Sequence, residues 1–511
     1  MANDPLRPYY TRARNRLRKH SPDTMLAHGI GALHKVHAGG VAVMRHYQPW
    51  NILLLLKWAM QEADGVSHRR PAATLDDFHA VLNILHEADG NVRMPSDYEH
   101  VYLFMRQLAF QQFWLQQAAC GESLVRQDLL FSALPADHWL QRQFRRLTGV
   151  SPGEFLDLAY ATFTLILQTP SPEFIERHHY DLIAPGLSPG ALDGFLRHLS
   201  RRGEELHTKL SQPPYSGMSV ADQQVLPTPL LDSPLLQTAT GSFVVISPTL
   251  LMRSLESAVY RTLRRNDPSA FGPRFGPVFE RYVGRVLDSA KVDYFDETRL
   301  QGLLPGTGKC VDFLIHEADA TILIDAKGIE LSALGRVSQT GELLFRTIKD
   351  SAVKAIEQGM ETLRRIHALP ADSAIADRDD EKFVIVVTFD DLFLGSNYEF
   401  GALFGSALVP RLQNQFGGTL PLPMEHVFFL SIDEFERLLV RLEGGANTIG
   451  SILRHARSND ADGRTRKFHF IQHLESIAKQ SKRLPILQAG LETLCDRCIG
   501  RVPPEQRKLR P

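Results

Sequence analysis

Two apolar runs with strand character lie four residues apart, Lys309-Cys310-Val311-Asp312-Phe313-Leu314-Ile315-His316 and Thr321-Ile322-Leu323-Ile324-Asp325-Ala326-Lys327-Gly328. With Glu317 to Ala320 as the loop they predict a hairpin in which Phe313 faces Ile324 and Asp312 faces Asp325. Opposed Cβ atoms in such a pair stand ~4.5–5.5 Å apart. Side chains alternate, so Lys327 joins the face of the two aspartates, while Val311, Phe313, Ile315, Ile322, Ile324 and Ala326 form a core face. Two opposed like charges destabilise a hairpin unless something neutralises them. A divalent cation resolves the conflict, and hard oxygen ligands suit Mg²⁺ or Mn²⁺. Lys327 is then placed to orient or activate a water, or to stabilise charge developing on a phosphoryl group. An edge hairpin with solvated charges accounts for Asp319, but not for an Asp and a Lys closing the apolar run from Thr321 to Ala326.

The chain around this hairpin has 511 residues, too many for one core, so a modular protein of roughly three domains is expected. Residues 1–225 read as an all-α region: 50–63, 75–88, 98–119 and 172–180 repeat apolar positions three and four apart. A Pro-rich connection, Gln212 to Gly217 with Pro227, Pro229 and Pro234, follows. Residues 226–445 then alternate strands (241–247, 291–297, 309–316, 321–328, 382–389, 426–431) with helices (248–264, 276–290, 345–367, 432–443), the pattern of a mixed-sheet α/β domain. Residues 446–511 return to a short helical, basic texture. The net charge of -1 argues against a protein that coats nucleic acid, yet both ends are basic: residues 1–20 carry six basic groups against Asp4, and residues 451–511 carry 13 against 6. Such ends suit phosphate contacts or a solvated surface. Apolar stretches such as Ile52 to Leu56 and Leu158 to Leu167 fall short of the ~20 residues of a spanning helix, and the basic start lacks the apolar core of a signal peptide. Four cysteines are too few for a disulfide framework, so a reducing, cytoplasmic location without membrane partners is expected.

At Val311-Asp312 and Asp325-Ala326-Lys327 the sequence resembles the PD-(D/E)xK nuclease superfamily, whose signature is an acidic residue on one strand and an acidic-x-Lys triplet on its hairpin partner. It departs in having Val for the signature Pro and Asp for the commoner Glu. The resemblance covers roughly residues 240–445 and implies a restriction-endonuclease-like fold and a metal-dependent endonuclease acting on DNA. It also implies that Asp312, Asp325 and the carbonyl of Ala326 hold Mg²⁺ or Mn²⁺ while Lys327 serves the water. The family often adds an acid from the helix before the sheet. On 276–290, Val278, Phe279, Tyr282, Val283, Val286 and Leu287 form a stripe, and Glu280 falls at its edge beside Leu287, which places it over the sheet. Gln358 resembles polar residues that some members bring near the site, but its helical angle turns it away from the apolar stripe. By analogy with nucleases joined to helical domains, the helical half would sense, recruit a partner protein or assemble homo-oligomers, as in bacterial phage-defence effectors. The competing class is a silent nuclease-like module that only binds nucleic acid or a partner; intact Asp312, Asp325 and Lys327 count against it.

Other motifs carry less. Gly306-Thr307-Gly308-Lys309 is no phosphate loop, because Leu303 stands where the first Gly is needed, Cys310 replaces Ser or Thr, and a strand follows. Cys495-x-x-Cys498 with His469 and His473 has the residue types of a zinc site, although the order is unusual and free thiols on a helix are the simpler reading. His178-His179 lacks further ligands at metal spacing.

Overall fold

The computed structural model describes residues 6–63, 67–90, 97–117, 119–169, 172–213, 215, 218–395, 397–477 and 482–507. Two units divide the chain: residues 1–95, 107–266 and 490–511 form one, and residues 96–106 with 267–489 form the other. The division does not coincide with the expected boundaries at 225/226 and 445/446.

The first unit is built on helix α1 (Pro49–Gln61), which opens on a proline at its first position and buries every residue from Asn51 to Met60. A helix apolar on all sides belongs inside a core. The helices Arg7–Leu17, Pro22–Met44 and Leu75–Gly90 surround it, with Leu53, Leu56, Phe78 and Leu82 in one cluster. Where the sequence punctuates with Ser151-Pro152-Gly153, a helix starts: the Ser151 side chain accepts from the Glu154 N–H, and Pro152 occupies the first turn of Pro152–Gln168.

This unit is not all-α. Strands β1 (Phe174–Ile175), β2 (Ser200–Arg201), β3 (Leu235–Gln237) and β4 (Phe243–Val245) form a sheet in the order β1-β4-β3-β2. The expected helix at 172–180 is therefore β1 followed by a 3₁₀ turn at Arg177–Tyr180. Strands of two residues are too short to show alternation, so a helical period read across them misleads. Strand β4, expected to open the α/β domain, pairs back with β1 and β3.

The basic ends are engaged within this unit. On the helix Pro485–Arg501, Arg497 Nε lies 2.6 Å from Asp157 Oδ1, Arg497 Nη2 lies 2.6 Å from Asp128 Oδ1, and Arg501 Nε lies 2.5 Å from Asp157 Oδ2. At the other end Arg14 and Arg18 both pair with buried Glu62. These arginines neutralise buried acids, which removes them from the charge available to an external phosphate.

The second unit holds a five-stranded sheet. Helix α2 (Pro268–Ser289) is followed by β5 (Phe295–Asp296), α3 (Glu297–Leu303), β6 (Phe313–His316), β7 (Ala320–Lys327), α4 (Lys354–His367), β8 (Glu381–Thr388), β9 (Val427–Ser431) and α5 (Ile432–Val440), with further helices between them. Strand order is β5-β6-β7-β8-β9; β6 runs antiparallel to both β5 and β7, while β7, β8 and β9 are parallel. The hairpin register is the expected one, Phe313 opposite Ile324. Helix α2 covers one face, where a Cβ on Gly284 would stand 3.3 Å from the Phe313 ring. Helix α4 covers the other: a Cβ on Gly359 would stand 2.7 Å from the Val384 side chain, and Val384 pairs with Leu323. Both faces are thus closed, and the face expected to be polar is core at Leu314 and Leu323.

Helix α2 starts eight residues before the expected Gly276, and Phe271-Gly272-Pro273 is no turn. The Asp267 side chain accepts from the Ala270 N–H at 2.9 Å, and Phe271, Phe275 and Phe279 stack in steps of 4.9 and 5.9 Å, one helical turn apart. Pro273 and Pro277 lie on the exposed side, where the cap and the aromatic ladder outweigh them. No disulfide links the four cysteines, and among the described residues no helix is long and apolar enough to cross a membrane.

Candidate active site

Strand β7 carries a polar end on an apolar body. Residues Ala320 to Ala326 are buried, and Lys327 is the first to reach toward the surface. Asp312 sits one residue before β6, where the ladder has stopped, and its Oδ2 accepts from the Ala326 N–H at 2.6 Å. Side chains of α4 and its neighbours replace the missing ladder. Thr362 Oγ1 accepts from the Val311 N–H at 3.1 Å, and Gln358 Nε2 donates to the Cys310 carbonyl at 3.3 Å. Arg365 donates to the carbonyls of Pro305, Gly306 and Gly308, pinning the Gly-rich turn before the hairpin. The rejected phosphate loop is thus a bend held by arginine.

Lys327 Nζ stands 2.5 Å from Asp325 Oδ2 and donates to Gln358 Oε1 at 3.1 Å. Asp325 is fully buried, and among the described residues its carboxylate oxygens have no hydrogen-bond partner beyond this ion pair. Glu280, Glu297 and Asp312 each bring a carboxylate oxygen within 4.8 Å of the other two. The four expected side chains are therefore gathered at one place, with a difference in grouping. Asp312 shares a cation-sized space with Glu280 and Glu297, whereas Asp325 turns to Lys327; Ala326 enters through its N–H. Glu297 was not expected, because 291–297 reads as a strand. Its signal was the helix start: the Asp296 side chain accepts from the Arg299 N–H at 2.8 Å, an N-cap that places Glu297 in the first turn of α3. Gln358, which its helical angle turns away from the apolar stripe, reaches the site because Gly359 lets α4 approach β8 closely.

Charge balance decides what the cluster favours. Burial first, then the Asp325 charge, pushes the Asp312 carboxyl up to about 8. Burial also raises Asp325, against the pull of Lys327. Glu280 is raised by burial and then by Glu297 and Asp325. Four carboxylates crowd around one contacting amine, and unpaired buried charge is costly. A hard cation fits this donor set, which consists of carboxylate oxygens close enough to share one ion.

Carboxyls raised in the folded state stabilise the metal-free protein below the unfolded value near 4, and that contribution is lost as pH rises through about 8. A cation needs the ionised form. Its stabilisation is therefore expected to grow between pH 5.5 and 8, reaching about 2.7 kcal/mol at a hundredfold excess over its Kd. Melting curves with and without Mg²⁺ across this range check it; a gain that is independent of pH, or retained in an Asp312→Asn, Asp325→Asn variant, would contradict it.

Cys495 and Cys498 are free thiols, the simpler reading of the sequence, and the two histidines of the zinc alternative pair with acids. His469 Nε2 contacts Asp391 and lies 3.4 Å from Glu434 Oε1, while buried His473 lies 3.1 Å from buried Asp460. Burial opposes protonation of His469, but Asp391 and Glu434 outweigh it and raise the imidazole to about 10. Cys498 belongs to the other unit, where its thiol donates to the Asp157 carbonyl at 3.6 Å. The zinc set is therefore dissolved by engaged histidines. A scan against family models, a search of curated proteins and a search of solved structures each found no match to this chain.

Proposed function

We propose that the second unit is a divalent-cation-dependent nuclease that hydrolyses DNA phosphodiester bonds. The observation that carries the reading is the cluster of Asp312, Glu280 and Glu297, whose carboxylate oxygens lie within 4.8 Å of one another, beside buried Asp325 and its partner Lys327 at the end of the hairpin. Asp312, Glu280 and Glu297 would hold the cation, with Asp325 joining them when Lys327 moves aside. Bound there, Mg²⁺ or Mn²⁺ would supply Lewis acidity toward a phosphoryl oxygen and lower the pKa of a water. The chain's own groups do the rest. Lys327, steadied by Gln358, presents an ammonium within reach of the same carboxylates, which suits orienting a water and stabilising charge that develops on the leaving oxygen. The Asp312 carboxylate is held by the Ala326 N–H and keeps an oxygen within 4.8 Å of carboxylate oxygens of Glu280 and Glu297. A structural ion cluster would not need three carboxylates in excess of its cation.

The test is a substrate and cation panel. Supercoiled plasmid, single-stranded DNA and RNA are incubated with full-length protein in Mg²⁺, Mn²⁺, Ca²⁺ or EDTA. Cleavage of DNA in Mg²⁺ or Mn²⁺, abolished by EDTA, is the expected result; cleavage undiminished by EDTA, or none with any cation, would overturn the proposal.

A further inference from the structure

Within the first unit, a cavity of about 40 Å³ opens between α1, the helix Tyr98–Gln116 and a segment made of Tyr215 and residues 218–229. Trp50 and Lys57 line it from one face of α1, Gln111 and Trp114 from the second helix, and Tyr215 and Gln224 from the segment. Lys57 is the anomaly. Only 3% of it is exposed, and among the described residues no carboxylate lies within ion-pair distance. Its amine donates to Gln223 Oε1 at 2.8 Å and stands 5.8 Å from the centre of the Tyr215 ring. Gln223 Oε1 also accepts from Trp58 Nε1 at 3.1 Å, so it is already shared. Asp89, an acid that contacts Gln224, is itself held by Asn51 Nδ2 at 2.7 Å. Burial lowers the amine to about 8, which still leaves it largely protonated at neutral pH.

A buried ammonium without an anion costs stability, and a helix buried on all sides would be better served by Met or Leu at this position. Such a cost is retained where a ligand supplies the missing charge. The interior, about 40 Å³, offers room for a small anionic group beside the amine. Flat aromatic surfaces stand at its half-buried rim on Trp50, Trp114 and Tyr215, with the amides of Gln111 and Gln224 between them. Aromatic faces take up heterocycles by stacking, amides read their edges, and a lysine takes phosphate as a point charge. We infer that this cavity binds a mononucleotide, with its phosphate on Lys57 and its base stacked at the aromatic rim.

The experiment is titration calorimetry on the full-length protein in EDTA, so that the carboxylate cluster holds no cation. Adenosine monophosphate, guanosine monophosphate, adenosine and inorganic phosphate are the probes. At least one mononucleotide should bind at a single site and quench tryptophan fluorescence, with adenosine and phosphate each about tenfold weaker or more. Lys57→Met should weaken binding by about thirtyfold or more, with a melting temperature unchanged or raised because an uncompensated charge is gone. Trp114→Ala, at the rim, should weaken it about tenfold. No binding of either mononucleotide at millimolar concentration would overturn the inference. So would binding by Lys57→Met within about threefold of wild type, or a lowered melting temperature that marks Lys57 as structural.

Discussion

Lys327→Ala is expected to slow plasmid cleavage by about 10²–10⁴-fold while DNA affinity stays within about threefold. The ammonium sits 2.5 Å from Asp325 and 3.1 Å from Gln358, at the mouth of the carboxylate cluster. It touches groups that would hold the cation and the water, and it contributes little to a general phosphate-binding surface. Single-turnover rates and filter binding on the same preparation separate the two effects. Gln358→Ala should reproduce part of the rate loss, since it leaves Lys327 charged but unsteadied. Equal losses in rate and affinity would make Lys327 a binding residue instead, and an unchanged rate would remove it from the chemistry.

The second large effect concerns stability and lies in the other unit. Arg497→Met is expected to cost about 3–5 kcal/mol, because it removes one partner from a buried pair and leaves the others charged. Asp157 is fully buried and meets Arg497 and Arg501 at 2.6 and 2.5 Å, and Asp128 takes the second edge of Arg497. Adding Asp157→Asn and Asp128→Asn to Arg497→Met should recover much of the loss. Urea denaturation of the single and combined variants measures it. A single-variant change within about 0.5 kcal/mol would show that these arginines are solvated surface charges after all.

The hairpin was legible because its information is local. Two apolar runs, Phe313 to His316 and Thr321 to Lys327, joined by a short loop, set the register that pairs Phe313 with Ile324, and the Asp312 carboxylate then meets the Ala326 N–H beside Asp325. The order of strands and helices around it could also be read, since each element carries its own period. Three things could not. Glu297 joins the site through the closure of a two-residue strand and a capped helix, and neither is long enough to have a period. Gln358 was misplaced because the apolar stripe of α4 says where the helix is buried and nothing about how near the strand end it comes; Gly359 on Val384 decides that distance. The return of the C-terminal helix to Asp128 and Asp157 joins residues more than three hundred positions apart, by ion pairs that look on the sequence like any basic surface. The same ambiguity affects the whole basic tail: a sum of charges cannot distinguish arginines facing phosphate from arginines already holding acids.

The carboxylate cluster is the centre of the account, and its chemistry has one direct measurement. Single-turnover cleavage of supercoiled plasmid in Mg²⁺ is compared between wild type and the Asp312→Asn, Asp325→Asn variant, with melting curves recorded on both. Neutral amides in place of two crowded carboxylates, one of them fully buried, should leave the fold as stable as before or more so, while cleavage falls by at least about 10³-fold. A well-folded variant that cuts as fast as wild type would contradict the assignment of these aspartates, and a wild-type protein that leaves the plasmid intact in both Mg²⁺ and Mn²⁺ would contradict the nuclease itself.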